Sequence, residues 1–464
     1  MNNATDQGRM QNKILLVLFG GVLMGAMDIS IVGPAIPSIE KTISVPPREL
    51  GWIFSIYVLF CLVGVSLFAK LSDVYGRRSI YAINLAIFAI GSLVVSFADQ
   101  FPMLLTGRAI QGFGASGIFP VASAVIGDVF PPEKRGRALG FVGMVWGIAF
   151  ILGPIIAGIL LRFFEWHALF LVNIPIAAVL IFYSFRLLSS KPVSSTMQFD
   201  WKGVLLLGIF LSSFTYGMNK IESDNFLGSF VSVQVLPYFI LSVVTLIILI
   251  LLERHTGESV MNLQLFRFRQ VRIVSVIAIV TGLLQASFVF IPRMAVSTFS
   301  VDSSKASFML IPLVMATAIG SPIFGRLLDK LGSRIVVLIG LILAMTGMIC
   351  LSVSTTLLMF YTAGAFTGFG LSVLAGSGLR YIMLNEVGPA ERASTQGLLT
   401  ILISLGQITG GALVGVILAG AVSPAAGYQN TFTAMAIIFL LATLAGIFLK
   451  SRSKELESKK GSGS

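Results

Sequence analysis

The sequence predicts an all-α integral membrane protein of two equivalent halves with two additional helices between them, fourteen spans in all. Three observations predict it. First, 56% of the 464 residues are hydrophobic and 11% are charged, with a mean hydropathy of +0.94. A soluble chain of this length cannot hide that much apolar surface, so lipid must be the solvent. Second, the apolar residues come in runs long enough to cross a bilayer. Third, the chain repeats itself. Leu71, Asp73, Gly76 and Arg78 recur as Leu327, Asp329, Gly332 and Arg334, at a constant separation of 256.

The repeat extends over some ninety residues, as an internal duplication requires. Gly112-Phe113-Gly114 returns as Gly368-Phe369-Gly370. Arg135, Gly153 and Gly158 return as Arg392, Gly410 and Gly415 at a separation of 257. Both copies must face the same side, so an even number of spans separates them. At about 30 residues per helix and loop, this lag is about eight spans. A plain six-plus-six arrangement would give a shorter one, so two extra helices are placed between the halves.

Taken in order, the first six spans are 14–36, 50–69, 80–98, 103–130, 138–161 and 169–188. They form an N-terminal bundle over 1–190. A segment at 191–260 holds a polar linker and the two extra helices, 204–218 and 230–252. The C-terminal bundle, 261–450, holds 271–296, 306–328, 335–353, 357–384, 393–421 and 431–449, followed by a tail at 451–464. Gly, Ala and Ser are frequent within the spans, which permits close packing in lipid.

Charge sets the orientation. Of 32 Lys and Arg, 24 lie in the N-terminus, the tail and the alternate loops holding Arg77, Arg135, Lys191, Arg254, Lys330 and Arg392. Five lie on the other side and three within spans. This asymmetry predicts a multi-pass protein of the cell (inner) membrane with both termini cytoplasmic. The net charge of +12 sits in short loops rather than on a folded basic face, so nucleic acid is not an expected partner. Cys61 and Cys350 fall inside apolar runs and imply no disulfide framework. Met1 to Lys13 is polar, so the first helix is expected to act as the targeting signal. His167 and His255 are far apart in sequence. No metal spacing, nucleophile motif or nucleotide loop stands out, so neither an enzyme nor a cofactor is expected.

Several motifs now come together. The loop Ala69 to Arg78, with its echo from Gly325 to Arg334, resembles the signature between helices two and three of the major facilitator superfamily. Ala69 replaces the usual first glycine. The stretch Arg108 to Gly112 resembles that superfamily's helix-four signature. Gly147 to Gly158, with Gly153-Pro154, resembles the helix-five signature of its antiporters. Met27 to Pro37 resembles the helix-one signature of the fourteen-spanner drug:proton antiporter branch, with Gly33 and Pro34 where asparagine and valine are more usual. The resemblance covers nearly the whole chain. It implies a major facilitator fold and a proton-coupled exporter of amphipathic drugs; cationic compounds are the expected cargo because Asp28 is the one deeply placed acid, and a monomer is expected. Protons would be the coupling ion and membrane lipid the surroundings.

Each candidate residue has a functional and a plain reading. Asp28 sits mid-span among Met24, Met27, Ile29 and Val32. A carboxylate there costs about 2.5–3.5 kcal/mol on insertion scales, a cost that protonation removes. It is therefore a proton-carrier candidate; the alternative is a carboxyl tied to a neighbouring helix for packing. Arg108 is a permanent cation within a span and must find a carboxylate, carbonyls or water. The resemblance implies proton coupling for it, against a purely structural role. Its duplicated position is Gly364, so this charge belongs to one half only.

Tyr57, Gln111, Gln285 and Phe288 are candidate cavity residues, although aromatics and amides on spans also serve packing. Arg293 follows Pro292 and either snorkels outward or faces the cavity. Arg380 is expected to pair with Glu386 near the cytoplasmic surface. Asp73, Arg77, Asp128 and Arg135 resemble the superfamily's cytoplasmic charge latch, with Gly76, Arg78, Gly325, Asp329 and Arg334 in the two loops. The other reading makes them solvated topology determinants. Ser333 stands at the position equivalent to Arg77, so a weaker second latch is expected. Gly147, Gly153, Pro154 and Gly158 suit a helix that packs closely and bends. Arg108, Arg293 and Arg380 outnumber Asp28, which leaves an anionic amphiphile or lipid as the alternative substrate. A lipid-modifying enzyme or a sensor is a distant one.

Overall fold

The computed structural model describes residues 2–43, 52–190, 201–221, 226–255, 263–288, 290–301, 306, 308–453 and 455. The described residues are almost entirely helical. The N-terminal half comprises α1 (Asn2–Ile43), α2 (Trp52–Tyr75), α3 (Arg77–Ser96), α4 (Phe101–Val129), α5 (Pro132–Phe163) and α6 (His167–Leu187). Next come α7 (Trp201–Asn219) and α8 (Leu236–His255). The C-terminal half comprises α9 (Arg269–Ser287), α10 (Ile311–Leu331), α11 (Ser333–Ser352), α12 (Leu357–Glu386), α13 (Arg392–Ala419) and α14 (Pro424–Gly446). Eleven helices among the described residues are long and apolar enough to cross a bilayer, and α7 and α8 contain shorter apolar stretches. The boundaries expected near 190 and 260 adjoin 191–200 and 256–262, which lie outside the described residues.

Several expected spans are interrupted, those at 138–161 and 169–188 by single turn residues, Met144 and Val172; three others break more fully. The span at 103–130 breaks at Ser116 and Gly117. The side chain of Asn84 accepts the Gly117 N–H at 3.1 Å, satisfying a backbone donor at the break. The span at 271–296 stops at Ser287 and resumes as Ile291–Phe299, where Pro292 occupies the first turn, a position in which it costs no hydrogen bond. The helix expected from 230 starts at Leu236, after a turn at 232–235, with Pro237 again in the first turn. Within α12, residues Ser372–Gly378 form a π turn. Such turns are frequent at functional sites.

The duplication holds at the level of atomic contacts. A Cβ on Gly112 would strike the Tyr57 carbonyl, and one on Gly368 would strike the Leu313 carbonyl. Gly64 lies against Phe113 and Ser116, while Gly320 lies against Phe369 and Ser372. Every pair is 256 apart. These glycines let α2 meet α4, and α10 meet α12, at backbone distance. Gly76 and Gly332 have φ of 89° and 85°, the left-handed region expected of the two loop glycines.

The helix ends carrying those loops form one face of the bundle, which we call the basic face. Both described chain ends lie there. Gln11 donates to the Val129 carbonyl at 3.1 Å, and Glu455 accepts from the Ser333 backbone N–H at 3.3 Å. The halves meet along α2 with α13 and α5 with α10, from the basic face to mid-membrane. Ala69 lies beside Gly397, the Gly325 carbonyl beside Gly136, and Ala318 beside Gly147. The two extra helices flank this seam: Leu207, Phe210 and Leu211 of α7 join Leu249 of α8 in an apolar cluster with Leu62, Val65 and Ile401.

Candidate functional site

Two polar sites stand out: one inside the N-terminal half, the other across the seam. The first is built around Asp28 on α1, which is fully buried, as are Arg108 and Gln111 on α4. Arg108 Nη1 donates to Asp28 Oδ2 at 2.5 Å and to Gln111 Oε1 at 2.9 Å. Arg108 Nε donates to the Ile53 carbonyl at 3.2 Å, and the guanidinium lies 4.3 Å from the Tyr57 ring centre. Asp28 Oδ1 accepts from Gln111 Nε2 and Asn173 Nδ2, each at 3.1 Å. Ser92 on α3 accepts from both amides, at 2.7 and 3.2 Å. Five helices thus converge on one carboxylate.

Every partner of Asp28 is a donor, so the shell suits the ionised carboxylate. Arg108 offsets its charge where water cannot. The pair is compensated only while both members stay charged, so neutralising either one leaves a buried charge uncompensated. Tyr57 and Gln111 belong to this network rather than to an open cavity. Asn173 and Ser92 were missed by sequence reasoning. Asn173 carries a usable signal: it is an amide inside the apolar run 169–188. The duplicated half has Leu284, Met348 and Gly364 where this half has Asp28, Ser92 and Arg108, so this network has no copy.

The seam at the basic face is the second site. Asp73 on α2 reaches across to the start of α13. It accepts the Ser394 N–H at 3.2 Å and the Ser394 hydroxyl at 3.0 Å. Asp329 on α10 does the same to α5, accepting the N–H groups of Gly136 and Arg137, each at 2.9 Å. The two latches are related by the duplication, since Gly136 and Arg137 correspond to Ala393 and Ser394 at 257. Each places a carboxylate on amides at the start of a helix in the opposite half, where the helix dipole favours it.

Charge pairs extend the first latch. Arg77 pairs with Asp73 and, through Nε at 2.9 Å, with Asp128. Asp128 then accepts from Arg392 of the C-terminal half at 2.6 Å, and Arg77 donates to the Pro389 carbonyl at 3.2 Å. Arg135 donates to Asn385 across the seam at 2.8 Å. Ser333, at the Arg77 position, makes no such bridge and bonds Glu455 of the tail. Among the described residues, the carboxylate that the second half of the seam uses is that of Asp329.

Other expectations are redistributed. Arg78 faces α6, donating to the Phe185 carbonyl at 3.4 Å, and lies within the N-terminal half rather than across the seam. Arg334 has no hydrogen bond or ion pair among the described residues. Gln285 accepts from Gln407 of α13 at 2.5 Å, and Phe288 lies in the break after α9. The side chains of Arg293 and Pro154 lie outside the described residues. On α5, Gly147 sits against the Ala318 backbone and Gly153 against Ser30, but a Cβ on Gly158 would meet open space. Close approach therefore explains Gly147 and Gly153 and not Gly158.

The expected Arg380–Glu386 pair does not form. Glu386 takes Lys450 at 2.6 Å, because the chain after α14 returns to the basic face beside it. Arg380 points instead to α13, donating to Gln396 at 3.2 Å and Thr400 at 3.4 Å, with its guanidinium 3.8 Å from the Phe119 ring centre. Among the described residues, no group of three or more His, Cys, Asp or Glu could hold a metal ion.

Comparison with known proteins completes the picture. The Major Facilitator Superfamily profile matches residues 18–315 and 273–464. The chain is 30% identical over 412 residues to the uncharacterized MFS-type transporter YfiU of Bacillus subtilis, covering 88% of this chain and 79% of that protein. It is 29% identical to Multidrug resistance protein 3 of the same organism, with coverages of 90% and 81%. It is 27% identical to the riboflavin transporter RibZ of Clostridioides difficile, covering 78% of each. A solved structure, the human organic anion transporter MFSD10, superposes with a TM-score of 0.70 at 16% identity, over 94% of this chain and 99% of that one. With the duplicated helices and paired seam latches, these matches identify the chain as a transport protein belonging to the major facilitator superfamily.

Proposed function

We propose that this protein is a proton-coupled exporter of amphiphilic compounds, of the fourteen-spanner drug:proton antiporter type. It would reside in the cell membrane with the basic face in the cytoplasm and work by rocking its halves about the seam. The observation that carries the proton coupling is the buried Asp28–Arg108 pair with its all-donor shell. Protonation of Asp28 removes the charge that Arg108 compensates, so proton binding and repacking of α1 against α4 are one event. The Asp73 and Asp329 latches close the basic face and have to part when substrate loads. Relatives named as multidrug resistance proteins support drug-like amphiphiles as cargo.

The test is Asp28→Asn in proteoliposomes with an imposed pH gradient. The variant keeps the side-chain volume and fixes the neutral form. Uphill, substrate-dependent proton flux should vanish while energy-independent exchange survives. Full uphill transport by this variant would place the proton elsewhere, with Asp128 as the next candidate. A cationic cargo was expected because Asp28 is the deeply placed acid. With both Asp28 oxygens already occupied, that expectation loses its support, and the charge of the cargo has to be read from another residue.

A further inference from the structure

Arg380 is a buried cation without an acid. It is 3% exposed and lies six residues from the basic-face end of α12, about 9 Å along the helix. Its hydrogen-bond partners, Gln396 and Thr400, are neutral. Its Nε is buried with no partner, and no carboxylate pairs with it among the described residues. The two arginines buried as deeply are treated differently: Arg108 has Asp28, and Arg77 has Asp73 and Asp128; Arg135, at 8% exposed, rests on the Phe130 carbonyl and Asn385, and no nitrogen of its side chain is left buried without a partner. Arginine stays charged, so it cannot escape the cost of burial by losing its proton.

The neighbourhood repeats the shortage. Ser377, three residues earlier in the π turn, has a buried hydroxyl without a partner, and so does Ser321 on α10, which lies beside Gly376 of the same turn. Three polar groups around one π turn lack partners. The permanent cation among them lacks an anion, and a serine hydroxyl can donate to one. From the other half, the Phe119 ring on α4 stacks over the Arg380 guanidinium at 3.8 Å. Phe119 and Arg380 belong to opposite halves, so opening the seam from the basic face takes the ring off the guanidinium. Nearer that face, Gly127 of α4 lies against Leu384 and Arg392, and these contacts part in the same motion.

We propose that Arg380, assisted by Gln396, Thr400 and Ser377, binds the anionic group of the transported amphiphile when the basic face opens. Phe119 covers the guanidinium while the site is empty and packs on the cargo's apolar body when it is filled. The guanidinium fork and its unpartnered Nε suit a planar carboxylate, which takes two parallel hydrogen bonds from arginine. This assignment rests on the exporter reading for the direction of loading. It narrows the substrate class to amphiphilic carboxylates and related organic anions.

The test is equilibrium binding to the purified full-length protein in phosphatidylcholine nanodiscs, read by fluorescence anisotropy. The probes are 1-pyrenebutyrate and 1-pyrenebutyl-trimethylammonium, which share an apolar body and differ in charge. Each signal is corrected by displacement with excess non-fluorescent competitor. The wild type should bind the carboxylate with preference. Arg380→Gln should weaken carboxylate binding by about tenfold or more, the worth of a charge-assisted hydrogen bond, without weakening the cation. Arg380→Lys should fall between the two. Equal carboxylate affinity in the wild type and Arg380→Gln would overturn the assignment, as would equal loss of both probes. If Arg380→Gln does not fold, absence of a carboxylate preference in the wild type overturns it alone. Competition by phosphatidylglycerol added to the discs would assign the site to a lipid headgroup and overturn the substrate reading. Binding needs no proton gradient, so failure of Asp28-dependent transport leaves this result standing.

Discussion

Removing Asp73 should open the basic face without unfolding the protein. In Asp73→Ala, Arg77 keeps Asp128 at 2.9 Å, so no buried charge is orphaned. Besides the Arg77 contact, what disappears is the set of bonds to the other half, from the Ser394 N–H and hydroxyl at 3.2 and 3.0 Å and, more weakly, from the Ala393 N–H at 3.4 Å. Hydrogen bonds to a charged group contribute about 1.5–3 kcal/mol each. At the lower end, two of them contribute about 3 kcal/mol, or about a hundredfold in an equilibrium constant. They exist only while the halves are closed at this face, so the whole effect falls on the closed-to-open ratio. The reporter is Ala124→Cys in a Cys61→Ser, Cys350→Ser background. Ala124 is fully buried in the seam, in a small cluster with Ala69 and Ala393. A water-soluble maleimide can reach it only when the seam parts, so the labelling rate reports the open population. Adding Asp73→Ala should raise that rate by about two orders of magnitude in a protein that still folds and melts cooperatively. A rise below about threefold would mean that the Asp73 bonds do not hold the halves together, and the duplicated latch would reduce to a marker of topology.

Three further outcomes follow from the same geometry. Gly147→Ala should lower thermal stability and slow transport, because a Cβ there would sit 2.8 Å from the Ala318 backbone; Gly158→Ala, facing open space, should leave both unchanged in the same melting and flux assays. Asn173→Ala removes a donor to Asp28 and to Ser92, and chemical denaturation should show a loss of about 1–3 kcal/mol, the cost of leaving a buried acceptor short of a partner; an unchanged midpoint would mean the carboxylate does not need the amide. Cysteine placed at Lys220, which is exposed after α7, should be labelled in intact cells by an impermeant reagent; labelling only after permeabilisation would reverse the orientation assigned from loop charges.

The sequence alone determined the class, the duplication and the two loop glycines. Those follow from one-dimensional signals: apolar runs long enough for a bilayer, a fixed lag of 256, and a Gly placed where the chain must turn with positive φ. Asp28 and Arg108 were legible for a related reason, since charged residues within apolar runs are costly and have to be accounted for. Their pairing was not determined, because two positions 80 residues apart on α1 and α4 carry no mark of contact. Asp73 and Asp329 were legible as a repeated motif, but not as carboxylates seated on helix starts of the opposite half, because that contact exists only once the halves dock. Arg380 shows the limit most clearly. Six residues of helix separate it from Glu386, and sequence spacing favoured that pair. The folded tail supplies Lys450 to Glu386, and the docking of α13 and α4 decides that Arg380 is left with two neutral partners and an aromatic ring. Local sequence fixes which helices form and which residues are costly inside them; only tertiary packing chooses the partners that offset the cost, because those partners come from distant parts of the chain.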